Sequence, residues 1–95
     1  MNIQIQSIHF SADKHLKDFI NKKVDKLINI DDSILNAEVF LKVDKPESYG
    51  NKIVEIKLHS SNYEYFAKKQ SNSFEASADL ASKALRKQII KHKEK

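Results

Sequence analysis

The 95-residue chain contains no cysteine and no tryptophan, a single glycine and a single proline. Without cysteine there is no disulfide framework and no thiolate metal site. One glycine cannot build a phosphate-cradling loop, nor the sharp elbow that exposes a catalytic serine, so Ser60-Ser61 has no nucleophilic setting. The same scarcity leaves no linker, and neither a repeat nor a low-complexity tract interrupts the chain. One domain over residues 1–95 is expected. No run approaches the ~20 apolar residues of a membrane span. The opening MNIQIQSIHF has no basic segment and no long apolar stretch, and so does not read as a signal peptide. The four histidines, His9, His15, His59 and His92, fall at no i, i+3 or i, i+4 spacing, which argues against a metal site. The expectation is a cytoplasmic, non-catalytic protein with no cofactor.

What the chain does have is unevenly placed charge. Residues 11–30 hold five Lys against three Asp, residues 31–73 six Lys against seven acids, and residues 74–95 six Lys/Arg against three acids. The formal net charge is +4. From Lys83 onward six basic residues face one acid, Glu94, so that short stretch carries more positive charge than the whole chain. A surplus gathered in two segments, with a slightly acidic stretch between, suits an extended anion such as nucleic acid.

Periodicity organises these segments. Residues 2–9 alternate, with Ile3 and Ile5 against Gln4 and Gln6, as a half-buried strand does. Ser11 can cap a helix running to about residue 28, with Leu16, Phe19, Ile20, Val24 and Leu27 on one face. Asn29 and Asp31-Asp32 end it with turn chemistry. Over residues 34–43 the period returns to two, with Ala37, Val39, Leu41 and Val43 on the apolar side. Residues 44–51 contain Pro46 and Gly50 and form the strongest turn signal. Residues 52–59 place Val54, Ile56 and Leu58 inward, and residues 63–69 place Tyr65 and Ala67 inward after a short turn at 60–62. A last helix follows from residue 74, capped by Ser73 or by Asn72 with Glu75. Its stripe is Phe74, Ala78, Ala81, Leu85 and Ile89; Lys83, Arg86, Lys87 and Lys91 project from the opposite, nearly acid-free half.

The order β-α-β-β-β-α predicts an α+β fold: a four-stranded sheet with an antiparallel meander, and two helices side by side on one face. Two surfaces then remain. The helix side gathers Lys22, Lys23 and Lys26 with Lys83, Arg86, Lys87 and Lys91 into a basic area with a groove between the helices. Lysines track a phosphate backbone and Arg binds phosphate bidentately; two solvated helix faces without a partner are the other reading. The open side of the sheet carries Phe40, Ile53 and Phe66 among Lys42, Glu55, Lys57 and His59. Aromatics there suit base stacking or a dimer contact, although Glu38, Glu55 and Glu64 repel phosphate. A general RNA-binding module using that face and a protein-interaction domain are therefore the rivals.

Three segments carry a resemblance. IQIQSIHFSAD near the start, AEVFLKV at 37–43 and FEASADLASKALRKQIIKHKEK at 74–95 resemble the ribosome hibernation-promoting factor family, also called ribosome-associated inhibitor A or sigma-54 modulation proteins. The likeness covers essentially the whole chain, and KALRKQIIKHKEK is its most specific part. It implies a fold akin to the double-stranded-RNA-binding domain. It further implies inhibition of translation under starvation or in stationary phase, by occupation of the small ribosomal subunit's decoding region, where messenger RNA and tRNA pass. In the family, basic residues on both helices contact rRNA, and that pattern falls on Lys87 and Lys91, and on Lys23 and Lys26. Lys22, Lys83 and Arg86 are added by charge and facing. Two positions depart from the family pattern, Ala84 and Ile90, where relatives are often basic. The chain resembles the short form, without the dimerisation domain of the long one. The expected partner is the small subunit and its rRNA, with no membrane or small-molecule partner, and the protein is expected to be monomeric off the ribosome.

Overall fold

In a computed structural model of the protein, residues 2–8, 10–45 and 50–93 are described. His9, Pro46 and Glu94 lie outside the described residues. Six elements follow in the expected order: β1 (Asn2–Ser7), α1 (Lys14–Ile28), β2 (Ile34–Val43), β3 (Lys52–Ser60), β4 (Glu64–Ser71) and α2 (Phe74–Lys93). The four strands form one sheet in the order β1-β2-β3-β4. β2, β3 and β4 make the antiparallel meander, while β1 runs parallel to β2 with Ile3 opposite Ala37 and Ile5 opposite Val39. A parallel neighbour requires a crossover, and α1 supplies it.

The sheet is one-sided because alternation holds along its central strands. Val39 and Leu41 of β2, Val54, Ile56 and Leu58 of β3, and Tyr65 of β4 are almost wholly buried on one face. A register shift between Ile34 and Asn36 changes the phase at the start of β2, so Ile34 is buried and Leu35 is exposed. Val43, expected inward, is exposed at the far end of the strand. α2 lies across β3 and β4, and α1 lies against α2. Ala78 and Ala81 let α2 approach the sheet, and Leu85 and Ile89 fill the space beyond. Each fully buried aliphatic side chain is worth about 1.5–3 kcal/mol.

The helix ends are chemically specified. Asp13, rather than Ser11, caps α1: its carboxylate accepts from the Leu16 N–H at 2.8 Å. A carboxylate at the N-terminus also meets the positive end of the helix dipole, an advantage that a serine hydroxyl lacks. Asn29 closes α1 through its N–H to the Asp25 carbonyl. Ser73 caps α2, its Oγ accepting from the Ala76 N–H at 3.1 Å. Inside α2, Ser77 is fully buried, and its hydroxyl donates to the Lys52 carbonyl at 2.6 Å, tying the helix to the start of β3. The β2–β3 turn is closed by the Asp44 N–H to the Asn51 carbonyl at 2.8 Å, and Gly50 takes φ 64°, where a side chain would be strained.

Asp31 is the polar anchor of the α1–β2 turn. One carboxylate oxygen accepts from the Ser33 N–H and hydroxyl at 3.0 and 2.7 Å, the other from the Tyr65 hydroxyl at 3.1 Å. The Ser33 hydrogen bonds, chiefly that from its hydroxyl, hold the Asp31 carboxyl below its ordinary value of 3.8, with Tyr65 and Lys93 adding to the effect. Burial, and then the bond to Asp31, pushes the Tyr65 phenol up to about 12, so it remains a donor. Replacing Asp31→Ala is expected to cost about 1–3 kcal/mol at neutral pH, measured by urea unfolding. Because the folded-state pKa lies below 3.8, the stabilisation is present above that pH and is lost as pH falls through the lower folded value. The difference between Asp31→Ala and the parent protein should therefore close in strong acid.

Candidate nucleic-acid interface

Packing both apolar stripes on the same sheet face sets the two basic helix faces side by side. A cleft of about 160 Å³ runs between them, lined by Lys23, Lys26, Leu27, Ile30, Asp79, Ser82, Lys83 and Arg86. Four of the seven sequence candidates, Lys23, Lys26, Lys83 and Arg86, thus meet at one groove. Lys22, Lys87 and Lys91 do not line it. Lys22 is exposed one turn before Lys26 on α1. Lys87 and Lys91 are exposed and continue the i, i+4 row from Lys83 along α2. Four residues advance a helix by about 6 Å and turn it about 40° past a full circle, so the row drifts slowly round the helix.

Asp79 alters the expected charge pattern. Its carboxylate bonds Lys23 of α1 at 2.8 Å and Lys83 of α2 at 3.1 Å, closing a three-residue bridge across the helix seam. The Lys23 bond, followed by that from Lys83, holds the Asp79 carboxyl below the usual carboxylate range. Lys23 is also half-buried and sits 5.4 Å above the Phe19 ring centroid. The basic face is therefore less free of acid than the run after Lys83 suggested. Lys23 and Lys83 are partly spent on holding the helices together. Among the described residues, Lys22, Lys26, Arg86, Lys87 and Lys91 make no ion pair, and their charge faces solvent. Of the two departures from the family pattern, Ala84 packs against the core and Ile90 is exposed.

The open sheet face is less of a platform than its aromatics promised. Phe40 is half-buried, Ile53 is 9% exposed and Phe66 is 43% exposed. The register sets Phe40 opposite Glu55 and Phe66 opposite Lys57, so the two rings sit on strands separated by β3 and out of line. Several polar groups on this face lie close to one another. Lys42 bonds Glu55 at 2.8 Å, and His59 lies 3.0 Å from Glu64 and 3.4 Å from Glu38. No group of His, Asp and Glu among the described residues is arranged to hold a metal ion.

The sequence and the fold have counterparts in known proteins. The chain belongs to the sigma 54 modulation protein / S30EA ribosomal protein family, whose model matches residues 3–95. A ribosome hibernation promoting factor of Azotobacter vinelandii is 30% identical over 95 residues, covering all of this chain and 85% of the relative. One from Pseudomonas putida is 28% identical over 95 residues, covering 89% of that protein. The fold superposes on a ribosomal subunit interface protein of Coxiella burnetii with a TM-score of 0.88 at 23% identity, covering both chains completely. It also matches the N-terminal domain of Thermus thermophilus Protein Y, with a TM-score of 0.80 at 22% identity over 94% of this chain and 96% of that one.

Removing Asp79 should release two lysines at little structural cost. For Asp79→Asn, stability is expected to stay close to that of the parent, because the bridge is solvent-accessible and such pairs contribute little. Binding to a polyanion should tighten, and the slope of log affinity against log salt should steepen by about 1–2. Heparin elution across a salt gradient, with RNA filter binding, checks both.

Proposed function

We propose that this protein is a ribosome hibernation factor. It binds the small subunit at the decoding region, blocks the path of messenger RNA and tRNA, and holds ribosomes inactive under starvation or in stationary phase. Family membership and the names of its relatives support the ribosome as partner. The observation that carries the mode of binding is the paired helix face. Lys26 on α1 and Arg86 on α2 meet at the groove, Lys22 is exposed one turn before Lys26, and Lys87 and Lys91 are exposed further along α2. Among the described residues none of the five spends its charge in an ion pair.

The action is occupation, held by charge. Helix lysines neutralise rRNA phosphates and release condensed counterions, an entropic gain that weakens steeply with salt. Arg86 contributes a planar donor fork that a phosphate accepts bidentately. Lys23 is held to Asp79 across the helix seam and Lys83 to the same carboxylate within α2, so these two contribute less free charge than the others. Nothing in this action requires a bond to be made or broken, and the protein works without a cofactor in the cytoplasm, where its partner is.

Lys87→Glu combined with Lys91→Glu should abolish co-sedimentation with small subunits at moderate salt while the circular dichroism spectrum and melting temperature stay within a few degrees of the parent. For the unaltered protein, ~4–6 phosphate contacts imply an affinity drop of roughly a hundred- to thousandfold between ~50 and ~200 mM salt. Saturation near one copy per subunit and displacement by messenger RNA with tRNA would fit the decoding region. Undiminished sedimentation of the double variant would remove α2 from the interface.

A further inference from the structure

A second cleft, of about 130 Å³, lies on the far side of α2 from the helix seam and is lined by Tyr63, Gln88, Lys91 and His92. We propose that it is a nucleobase-stacking site, taking one unpaired RNA base whose flanking phosphates lie on Lys91 and Lys87; this rests on the RNA-binding reading above.

The aromatic geometry is built before any ligand arrives. The Tyr63 ring stacks on the His92 ring with centroids 4.2 Å apart and planes at 22°. Tyr65 meets Tyr63 edge-on at 4.7 Å and His92 at 5.7 Å. Tyr65 is buried, with its hydroxyl on Asp31, and so forms a fixed floor. The Tyr63 backbone is pinned in its turn. Its N–H donates to Ser60 Oγ at 3.0 Å, and its carbonyl accepts from the Ser60 N–H and hydroxyl, both at 2.8 Å. On the helix side, Lys93 Nζ donates to the Ile30 carbonyl at 2.6 Å, which holds the last turn of α2 and with it His92. Despite these restraints Tyr63 remains 47% exposed. A rigid, half-exposed aromatic pair costs little entropy to engage and offers a π-face that any base can stack on.

Polar chemistry at the cleft fits RNA, with Lys91 for a phosphate and Gln88 for a base edge. Gln88 Nε2 is committed to the Phe66 carbonyl at 2.9 Å, leaving its Oε1 as an acceptor for a donor on a base edge. Among the described residues no acid lines the cleft. Two carboxylates close to the aromatic cluster are engaged elsewhere, Glu64 with His59 and Asp31 with Ser33 and Tyr65. Lys91 belongs to both the cleft and the row Lys83–Lys87–Lys91. The row's slow drift round α2 carries it from the helix seam across the outer face to the Tyr63 side. A phosphate chain following these lysines is delivered to the aromatic pair.

The test uses a fluorescently labelled oligoadenylate about eight nucleotides long, titrated by anisotropy at several salt concentrations against the whole chain. Tyr63→Ala and Tyr63→Leu should each weaken binding about ten- to hundredfold, Tyr63→Phe should bind as the parent does, and none should change the salt slope, since no phosphate contact is lost. Because the chain has no tryptophan, Tyr63→Trp introduces a single reporter whose fluorescence should be quenched as the base stacks. Parent-like binding by the alanine and leucine variants, a shallower salt slope, or an unquenched tryptophan overturns the proposal. If the parent binds small subunits but not the oligonucleotide, this site falls and the ribosome reading stands. If it binds neither, both fall.

Discussion

One-sided burial of the sheet is the constraint from which the rest follows. Val54, Ile56 and Leu58 of the central strand β3 point to one face and lose all contact with water, so both helices must cover that face. A helix carries one apolar stripe, and what lies opposite it is forced outward. Burying Leu16, Ile20, Val24 and Leu27 of α1 beside Ala78, Ala81, Leu85 and Ile89 of α2 therefore turns two lysine-rich faces in the same direction. The basic area is a consequence of core packing and needs no dedicated loop.

Bringing like charge together has a cost, and Asp79 offsets it where the helices touch. By bonding one lysine from each helix it converts the inner part of the basic face into an ion-pair network, while the outer lysines keep their charge. Charge is distributed differently on the other side of the sheet. There Lys42 meets Glu55, His59 stands between Glu38 and Glu64, and the three glutamates counter the lysines of that face, so it is less suited to a polyanion. The asymmetry between the two faces, more than the net charge of +4, orients the molecule toward an anionic partner.

Much of this was legible in the sequence because it rests on periodicity. Alternation in β2 and β3, the two helical stripes, and the turn over residues 44–51 all report local geometry, and local geometry is what spacing encodes. Contacts between distant segments were not legible. Asp79 was four residues from Lys83 and readable as its partner, yet Lys23, 56 residues away, completes the bridge only after folding. The stacking of Tyr63 on His92 joins a turn to the end of a helix, and no spacing rule connects them. Ser77 looks like any polar helix residue until the Lys52 carbonyl is found above it. The cap of α1 was displaced by two residues because Ser11 and Asp13 are both good caps, and only the carboxylate also gains from the helix dipole.

The most direct measurement is lysine-reactivity footprinting by mass spectrometry, with the protein free and then bound to small ribosomal subunits. If the paired helix face is the interface, Lys22, Lys26, Lys87 and Lys91 lose reactivity on binding, while Lys57 and Lys68 on the open sheet face keep theirs. Protection of Lys57 and Lys68 with the helix lysines unchanged would contradict the account and move the interface to the other side of the molecule.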